Sequence, residues 1–405
     1  MNDTPPHQAP VAVIGLGTMG AGIAEVFARA GHLVHGIEYD EGAVARGRAI
    51  LADSTRRAVA KDKLTGAERD ALLARVDFGT ELAQVSDCAV VVEAVSENLE
   101  LKKAIFATVD GLAPVDALLA TNTSSLSITE IAASTKRPER VVGVHFFNPA
   151  PVQRLVEVIS TVCTSAGAVE QARSLLTAVG KTPIFCGDRA GFVVNALLVG
   201  YLNRAVRLYG DGWAAAERLD QIMVERAGYP MGPLTLLDLV GLDVTLAVVE
   251  RLWDESRSGV HAPAPLLRQL VAAGRLGRKT GQGFYDYVDG SPGPSVASGS
   301  RRRLDRSDEL PDALVAPYLN DAVRMVEVGY ATATDIDTGM SLGCRMPRPF
   351  DVLTELGPAR VLRAQQAVFA ETAEPAHRPS ALLVELANEP GALARLREPD
   401  GAATQ

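Results

Sequence analysis

The sequence predicts an α/β domain with a parallel sheet, followed by an all-α region built from two tandem repeats. Up to about residue 188, short apolar runs alternate with helix-like segments, as in a parallel sheet covered by helices. Beyond residue 191 the apolar residues recur at helical spacing, and the stretch 201–273 recurs at 318–389. We therefore predict three domains and one linker, over 1–188, 189–288, 310–405 and 289–309.

The composition excludes several classes of protein. A chain of 405 residues with 47% hydrophobic content can form two or three cores, and its net charge of −9 argues against a nucleic-acid partner. The four cysteines stand singly, which predicts reduced thiols and no metal site. The first ten residues are polar, and no apolar run reaches the roughly 18 residues of a membrane span. We expect a cytoplasmic protein that does not bind membranes.

The first strand, 11–14, leads into a glycine-rich turn and a helical segment. Gly15, Gly17 and Gly20 form a G-x-G-x-x-G pattern, which is specific only in this strand–turn–helix context. Gly15 allows the tight turn, Gly17 lets the backbone approach a pyrophosphate, and Gly20 allows close packing of helix on strand. The first helical N–H groups, at Thr18 and Met19, then point at the phosphates. This predicts a Rossmann-type dinucleotide-binding domain.

The second strand ends in an acid that selects the dinucleotide. Glu38 lies 18 residues after Gly20, where a carboxylate accepts hydrogen bonds from the adenosine ribose. The segment 39–41 adds two acids and no arginine, so a 2′-phosphate would be repelled. The sequence therefore favours NAD over NADP.

A helical insertion is predicted over 42–75, with a break near 64–66. Residues 46–63 contain six basic and two acidic side chains, a local charge of +4. The basic residues are Arg46, Arg48, Arg56, Arg57, Lys61 and Lys63. Such a cluster is either a solvated helix face or a surface that receives a phosphate-rich substrate, and both interpretations stay open.

Polar residues follow each of the next three apolar runs, 88–92, 117–120 and 141–144. They are Glu93, Glu97, Asn122, Ser124 and His145. Taken singly, such residues are common in turns and caps. Their convergence on the carboxyl edge of one sheet, where open α/β sheets bind ligands, predicts a site.

His145 and Glu157 are placed symmetrically about Pro151, so a hairpin folded there brings them opposite each other. A histidine with one nitrogen held by a carboxylate has a fixed tautomer and suits a general base. The same spacing is also typical of a structural ion pair.

The helical repeat has a regular offset. The segment 201–203 recurs at 318–320, a shift of 117, and the shift becomes 116 by Gly241 and Gly357. The first copy continues into 277–285, which has no counterpart in the second, so we expect the first copy to face the active site and the second to stabilise it. Two such copies would pack as the halves of a homodimer do. The equivalent histidines, His261 and His377, are expected to be structural.

The motifs described above resemble those of a known enzyme family. The chain resembles the NAD-dependent L-3-hydroxyacyl-CoA dehydrogenases, especially bacterial 3-hydroxybutyryl-CoA dehydrogenases, over 11–288, and its second repeat resembles the duplicated C-terminal domain of longer members. The motifs lie at 15–23, 93–99, 121–125, 145–149 and 276–286. The resemblance implies oxidation of an (S)-3-hydroxyacyl-CoA thioester by NAD, or the reverse reduction, in a homodimer or a pseudo-dimeric monomer.

The resemblance also implies roles for individual residues. His145 would be the general base and Glu157 the acid that orients it. Ser124 would bond the 3-hydroxyl group, and Asn148 and Asn195 would steady the oxygen.

Other positions match family residues that contact the cofactor or coenzyme A. Glu97 and Lys102 would lie near the nicotinamide ribose, with Asn122 also at the cofactor. Glu38 would hold the adenosine ribose, and Lys61 would lie against the coenzyme A nucleotide.

Three departures from the family pattern affect substrate choice: Ala190, Ala196 and Gln153 stand where proline, arginine and methionine are usual. Two alternative functions stay open. The same chemistry could act on a hydroxyacyl carrier-protein thioester or on a free hydroxy acid, as in a gulonate-dehydrogenase-like enzyme. The second alternative is a catalytically silent nucleotide-binding protein. The intact His145, Glu157, Ser124 and Asn148 argue against it, because such a protein would not need them.

Overall fold

The computed structural model describes residues 10–296, 306–389 and 391–396. The chain forms two compact units, Met1–Phe192 and Val193–Gln405. Both helical repeats belong to the second unit. The predicted linker 289–309 includes a strand, because Ser291–Ser295 pairs antiparallel with Tyr285–Val288. Residues 297–305 of that linker lie outside the described residues.

The first unit is built around one sheet. Its strands are β1 (Val11–Ile14), β2 (Val34–Ile37), β3 (Val76–Gly79), β4 (Val90–Glu93), β5 (Leu118–Thr121), β6 (Val141–Phe146), β7 (Leu155–Ser160) and β8 (Thr182–Gly187). In the described part of the chain they form the order β3-β2-β1-β4-β5-β6-β7-β8. Neighbouring strands are parallel except β6 and β7, which form the predicted hairpin. From β1 the chain order runs outward in both directions, through β2 to β3 on one side and through β4 to β8 on the other. The point between β1 and β4 is therefore the switch point, where such sheets bind ligands.

The helices of the first unit pack on this sheet or on one another. They are α1 (Thr18–Arg29), α2 (Glu41–Ala60), α3 (Gly66–Leu73), α4 (Leu99–Leu112), α5 (Ile128–Ala132) and α6 (Ala166–Ala178). The predicted break in the insertion is the Thr65 cap of α3, where Thr65 and Glu68 form a capping box. Strand β3 escaped prediction because Val76–Gly79 has an acid and a glycine among its four residues and so gives no apolar run.

The second unit is helical. Its helices are α7 (Val194–Gly210), α8 (Ala216–Glu225), α9 (Pro233–Val240), α10 (Leu242–Ser256), α11 (Pro265–Ala272), α12 (Leu310–Glu327), α13 (Ala333–Cys344), α14 (Pro349–Leu356), α15 (Pro358–Thr372), α16 (Ala381–Asn388) and α17 (Ala392–Arg395), with the strand pair β9 (Tyr285–Val288) and β10 (Ser291–Ser295) between the two repeats. No helix within the described residues is both long enough and apolar enough to cross a membrane.

The two copies share their internal hydrogen bonds as well as their helix order. The Asn203 side chain accepts from the backbone N–H of Ala264 at 2.9 Å, and the equivalent Asn320 accepts from that of Ser380 at 2.8 Å. Helix α7 packs on α12, and Tyr201 and Tyr318 meet edge to face at 5.9 Å between ring centroids. The predicted tandem repeat is therefore confirmed.

The segment that only the first copy possesses is anchored to that copy. The backbone N–H groups of Phe284 and Tyr285 donate to the buried Asp238 carboxylate at 2.8 and 3.0 Å. The Tyr285 hydroxyl donates to Asp220 at 2.9 Å. Burial raises the pKa of both carboxyl groups, although these donors oppose the shift. The segment 277–285 thus supplies hydrogen-bond donors to two buried carboxyl groups of the first repeat.

Candidate active site

The loop after β1 has the geometry of a dinucleotide turn. Gly15 adopts a φ of +88°, and its N–H donates to the carbonyl of Ile37 at 2.8 Å. A Cβ on Gly20 would lie 1.7 Å from the Gly15 carbonyl oxygen, so only glycine fits there. A Cβ on Gly17 would meet no atom within 4 Å, and Gly17 and Thr18 are exposed. The open space at Gly17 leaves room for a ligand to approach the backbone.

The amino end of α1 is free to bind an anion. No side chain caps the helix, and its first turn holds no acidic residue. Its first N–H groups, at Thr18, Met19 and Gly20, therefore remain available to a pyrophosphate.

Glu38 lies beside this loop at the end of β2. One carboxylate oxygen accepts from the backbone N–H of Leu16 at 2.6 Å, and the other from that of Tyr39 at 3.2 Å. These bonds fix the half-buried carboxylate at the edge of the glycine turn, where a ribose of a bound dinucleotide would lie.

The end of β4 carries a buried ion pair. Glu93 accepts from the Lys102 ammonium at 2.7 Å and from the Thr121 hydroxyl at 2.7 Å. Glu93 is 1% exposed and Lys102 is 0% exposed. The Lys102 ammonium also donates to the Val95 carbonyl at 3.3 Å and lies 3.6 Å from Glu97. The direct cofactor contact predicted for Lys102 is thus not supported, because none of its surface is accessible.

Glu97 accepts several hydrogen bonds from the turn that follows β5. One of its oxygens accepts from the Thr123 hydroxyl at 2.6 Å and from the backbone N–H groups of Ser124 at 3.0 Å and Ser125 at 3.2 Å. Burial acts to raise the pKa of Glu97, but hydrogen bonds from Thr123 and the charge of Lys102 outweigh it, so the pKa is lowered. The structure therefore brings together the predicted residues Glu97, Lys102 and Ser124, with Glu97 ionised at neutral pH.

His145 and Glu157 face each other across the hairpin of β6 and β7. They are paired in the strand register, and His145 Nδ1 lies 2.7 Å from a Glu157 oxygen. His145 is 7% exposed and Glu157 is 0% exposed. The rings of Phe147 and Phe192 lie 4.8 and 5.6 Å from the imidazole. The result is a histidine–carboxylate pair in an apolar setting, with the geometry that the sequence predicted.

The carboxyl ends of β1, β4 and β5 lie side by side at one edge of the sheet. Ile14 is paired with Glu93, and Glu93 with Thr121. The Asn122 side chain accepts from the backbone N–H of Phe146 at 2.8 Å, which ties the end of β5 to the residue after His145. The glycine turn, the Glu97 cluster and the His145–Glu157 pair therefore follow the carboxyl ends of adjacent strands.

Three predicted residues lie apart from these contacts. Asn148 is exposed in the turn after β6. Lys61 is exposed at the carboxyl end of α2, and Asn195 is half-buried in the first turn of α7, in the second unit. Arg56 and Arg57 both approach Asp53, at 2.8 and 3.6 Å, so this part of the basic cluster is a solvated, ion-paired helix face.

The sequence did not predict Lys181, which fixes the turn of the hairpin. Its ammonium donates to the carbonyls of Ala150 at 2.6 Å and Gln153 at 2.7 Å. Burial, helped by the charge of Arg29 and opposed by Glu25, lowers the pKa of Lys181 to about 8. The residue lies 31 and 28 positions from its partners, so no local pattern reveals it.

Replacing Lys181 by methionine is expected to lower the free energy of unfolding by about 1–3 kcal/mol, because two carbonyls lose their buried donor. Urea titration followed by circular dichroism would measure it. Lys136→Met, at an exposed lysine, provides the matched control and should change stability little. Equal losses in the two variants would show that the Lys181 contacts stabilise nothing.

Comparison with known proteins decides the family. The profile of the 3-hydroxyacyl-CoA dehydrogenase NAD binding domain matches residues 10–189. That of the 3-hydroxyacyl-CoA dehydrogenase C-terminal domain matches twice, at 191–287 and 312–395. The chain belongs to the 3-hydroxyacyl-CoA dehydrogenase family. It is an oxidoreductase that uses NAD, as the sequence predicted, and the double match coincides with the two helical copies.

Individual family members cover different parts of the chain. A 3-hydroxybutyryl-CoA dehydrogenase of Mycobacterium tuberculosis is 46% identical over 279 residues, 68% of this chain and 98% of the relative. The 3-hydroxyadipyl-CoA dehydrogenase of Escherichia coli K12 is 40% identical over 375 residues, 90% of this chain and 75% of the relative. The crystal structure of a 3-hydroxybutyryl-CoA dehydrogenase from E. coli K12 matches with a TM-score of 0.84 at 33% identity, over 94% of this chain and 98% of that one. A likeness over nearly the whole chain therefore includes both helical copies.

Proposed function

We propose that this enzyme oxidises (S)-3-hydroxyacyl-CoA to 3-oxoacyl-CoA, or catalyses the reverse reduction, with His145 as the general base. The observation that carries the proposal is the 2.7 Å bond between His145 Nδ1 and Glu157 in a buried hairpin. Removing hydride from a secondary alcohol carbon requires a base at the hydroxyl oxygen. The members of the family compared above, whose names specify 3-hydroxybutyryl-CoA and 3-hydroxyadipyl-CoA, support the thioester class.

The hydrogen bond to Glu157 gives the two ring nitrogens of His145 different roles. Glu157 accepts from Nδ1–H, which leaves Nε2 unprotonated and able to take the proton from the 3-hydroxyl group. As the imidazole becomes charged, the Glu157 carboxylate stabilises it. We assign Ser124, Asn148 and Asn195 to hydrogen bonds with the substrate oxygen, and Lys61 to the coenzyme A nucleotide, on the family resemblance.

The residues of the first unit fit NAD. The open backbone at Gly17 and the uncapped end of α1 suit its pyrophosphate, and the Glu38 carboxylate suits the adenosine ribose. When bound, NAD supplies the hydride acceptor. We propose that Glu97 and Asn122 contact its nicotinamide half, and that Lys102 acts indirectly by holding Glu97.

Two glycine substitutions test this placement. Gly17→Ala is expected to weaken NAD binding by roughly tenfold or more while costing only about 1 kcal/mol of stability, because the added methyl occupies ligand space. Gly20→Ala should instead destabilise the fold by about 1–3 kcal/mol, because its methyl collides with the Gly15 carbonyl. Isothermal titration with NAD and urea denaturation measure the two effects. Unchanged NAD affinity in Gly17→Ala would remove the pyrophosphate from this loop.

A substrate comparison tests the reaction. NADH oxidation would be measured with acetoacetyl-CoA, acetoacetyl-pantetheine, an acetoacetyl carrier protein and free acetoacetate. We expect the CoA thioester to give the highest kcat/KM, since the exposed Lys61 and Lys63 can contact its phosphates. Turnover of the carrier-bound thioester or the free acid alone would overturn the proposal in favour of those substrates. Inactivity with all of them would favour a silent nucleotide-binding protein.

The proposal extends to assembly and location. Two helical copies packed within one unit support a pseudo-dimeric monomer, which light scattering of the purified chain would test. None of the four cysteines, all within the described residues, forms a disulfide bond, which supports a reducing, cytoplasmic location.

A further inference from the structure

A cavity of about 390 Å³ lies between the two helical repeats of the second unit. Its volume is in the range of small-molecule sites. The walls come from equivalent places in the two copies, so Tyr201 faces it with Tyr318, and His261 with His377. Burial lowers the pKa of both histidines, that of His377 to about 4, so both are neutral at pH 7.

At one equivalent pair of cavity positions, a basic residue in the first copy is replaced by an acidic residue in the second. Arg204 of α7 corresponds to Asp321 of α12 by the same shift of 117 that relates the two tyrosines. Both line the cavity, one with a guanidinium group and the other with a carboxyl group whose pKa burial raises to about 7. Among the described residues Asp321 makes no hydrogen bond, and the charges of Arg324 and Arg204 only partly oppose the effect of burial on its pKa. A carboxyl group without a hydrogen-bond donor among the described residues thus faces a cavity that also holds a guanidinium group.

Arg204 of α7 donates a hydrogen bond to α12 at a carbonyl group that lacks its usual helical donor. Pro317 lies inside α12 and has no N–H, so the Ala313 carbonyl lacks its helical partner. Arg204 Nε donates to that carbonyl. The two terminal nitrogens of the guanidinium group make no hydrogen bond with any described residue, so they remain available to a ligand.

The other charges at the cavity disfavour a phosphate-bearing ligand. Besides Asp321, three carboxylates line it, those of Asp211, Glu374 and Glu371, the last paired with Arg306 at 2.6 Å, against one further lining cation, Arg207. Arg207 already donates to the carbonyls of Gly259 and Ala262. A strongly anionic molecule would meet repulsion here, whereas a molecule without net charge would not.

Apolar residues complete the walls. Leu208, Leu314 and Pro317 line the cavity together with the two tyrosine rings. Such walls suit an apolar side chain on a ligand whose charged groups are satisfied by Arg204 and Asp321.

We propose that this cavity binds a small zwitterion of the α-amino acid type with an apolar side chain. The ligand carboxylate accepts from the two terminal nitrogens of Arg204, a strong bidentate geometry. Its ammonium group donates to Asp321, and its side chain lies against the leucines. The cavity residues belong to the second unit and include none of the residues assigned to the reaction.

The probes are L-leucine, its decarboxylated analogue 3-methylbutylamine and its deaminated analogue 4-methylpentanoate. In isothermal titrations of the full-length enzyme, L-leucine should bind at one site per chain. Each single-charge analogue should bind roughly tenfold or more weakly, because it lacks one charged hydrogen-bonding partner. This comparison uses the unmodified chain and so does not depend on any variant folding.

Two variants locate the site. Arg204→Gln and Asp321→Asn should each weaken L-leucine binding by roughly tenfold or more. Asp312→Asn, on the same helix but paired with Arg360 at the surface, should bind like the unmodified chain. The proposal is overturned if no saturable binding occurs at millimolar concentrations, if either analogue binds as well as L-leucine, or if both cavity variants retain full affinity.

Discussion

Replacing His145 by glutamine is expected to lower kcat by about 10²- to 10⁴-fold, the usual contribution of a positioned general base. Glutamine is close to histidine in size but cannot accept the hydroxyl proton. NAD affinity should be unchanged, because the glycine turn and Glu38 that we assign to the cofactor do not contact His145. The measurements are acetoacetyl-CoA-dependent oxidation of NADH and a fluorescence titration with NAD.

Two companion variants separate catalysis from structure. Glu157→Gln keeps a hydrogen-bonding side chain opposite His145 but removes the charge that stabilises the protonated ring, so kcat should fall as well. His35→Gln is the matched control, because His35 also lies near carboxylates, 3.6 Å from Asp77 and 3.7 Å from Asp87, but on β2. It should keep full activity. Loss of NAD binding in His145→Gln, or turnover close to normal, would identify His145 and Glu157 as a structural pair.

Replacing Lys102 by methionine is expected to lower the free energy of unfolding by about 3–5 kcal/mol, because Glu93 would remain as a buried charge without its partner. The 2.7 Å pair is shielded from water on both sides. The urea midpoint, followed by circular dichroism, gives the loss. NAD binding should weaken too, since Glu97 loses the cation 3.6 Å away.

The neighbouring residue supplies the control. Lys103 pairs with Glu100 at 3.0 Å on the solvated face of the same helix, so Lys103→Met should cost only about 0.5 kcal/mol. In the double variant Glu93→Gln with Lys102→Met, part of the lost stability should return, because no unpaired charge remains buried. Equal destabilisation by the two lysine substitutions would mean that the burial of the Lys102–Glu93 pair has no energetic consequence.

The features predicted from the sequence are those whose partners lie close along the chain. The glycine turn falls within six residues, and His145 and Glu157 lie 12 apart on one hairpin. Strand alternation and turn chemistry determine such geometry locally. The helical repeat was also accessible, because two copies in one chain can be compared directly.

Two contacts that the sequence did not predict depend on tertiary packing: the burial of Lys102 against Glu93 and the contact of Phe192 with His145. Lys102 looks like any lysine of a surface helix, and only the docking of α4 on the sheet buries its ammonium beside Glu93. Phe192 contacts the His145 ring from 47 positions away. Residue type and spacing carry no signal for such contacts, because they are set by how elements pack and not by their own periodicity.

The packing of α7 on α12 has a consequence for behaviour on dilution. When two such helical surfaces belong to separate chains, their association weakens as the protein is diluted. Here one polypeptide carries both surfaces, so their encounter is intramolecular and has an effective concentration set by the connecting chain. The thermal midpoint of the second unit should therefore be the same at nanomolar and micromolar protein, and so the contact survives even where the enzyme is scarce.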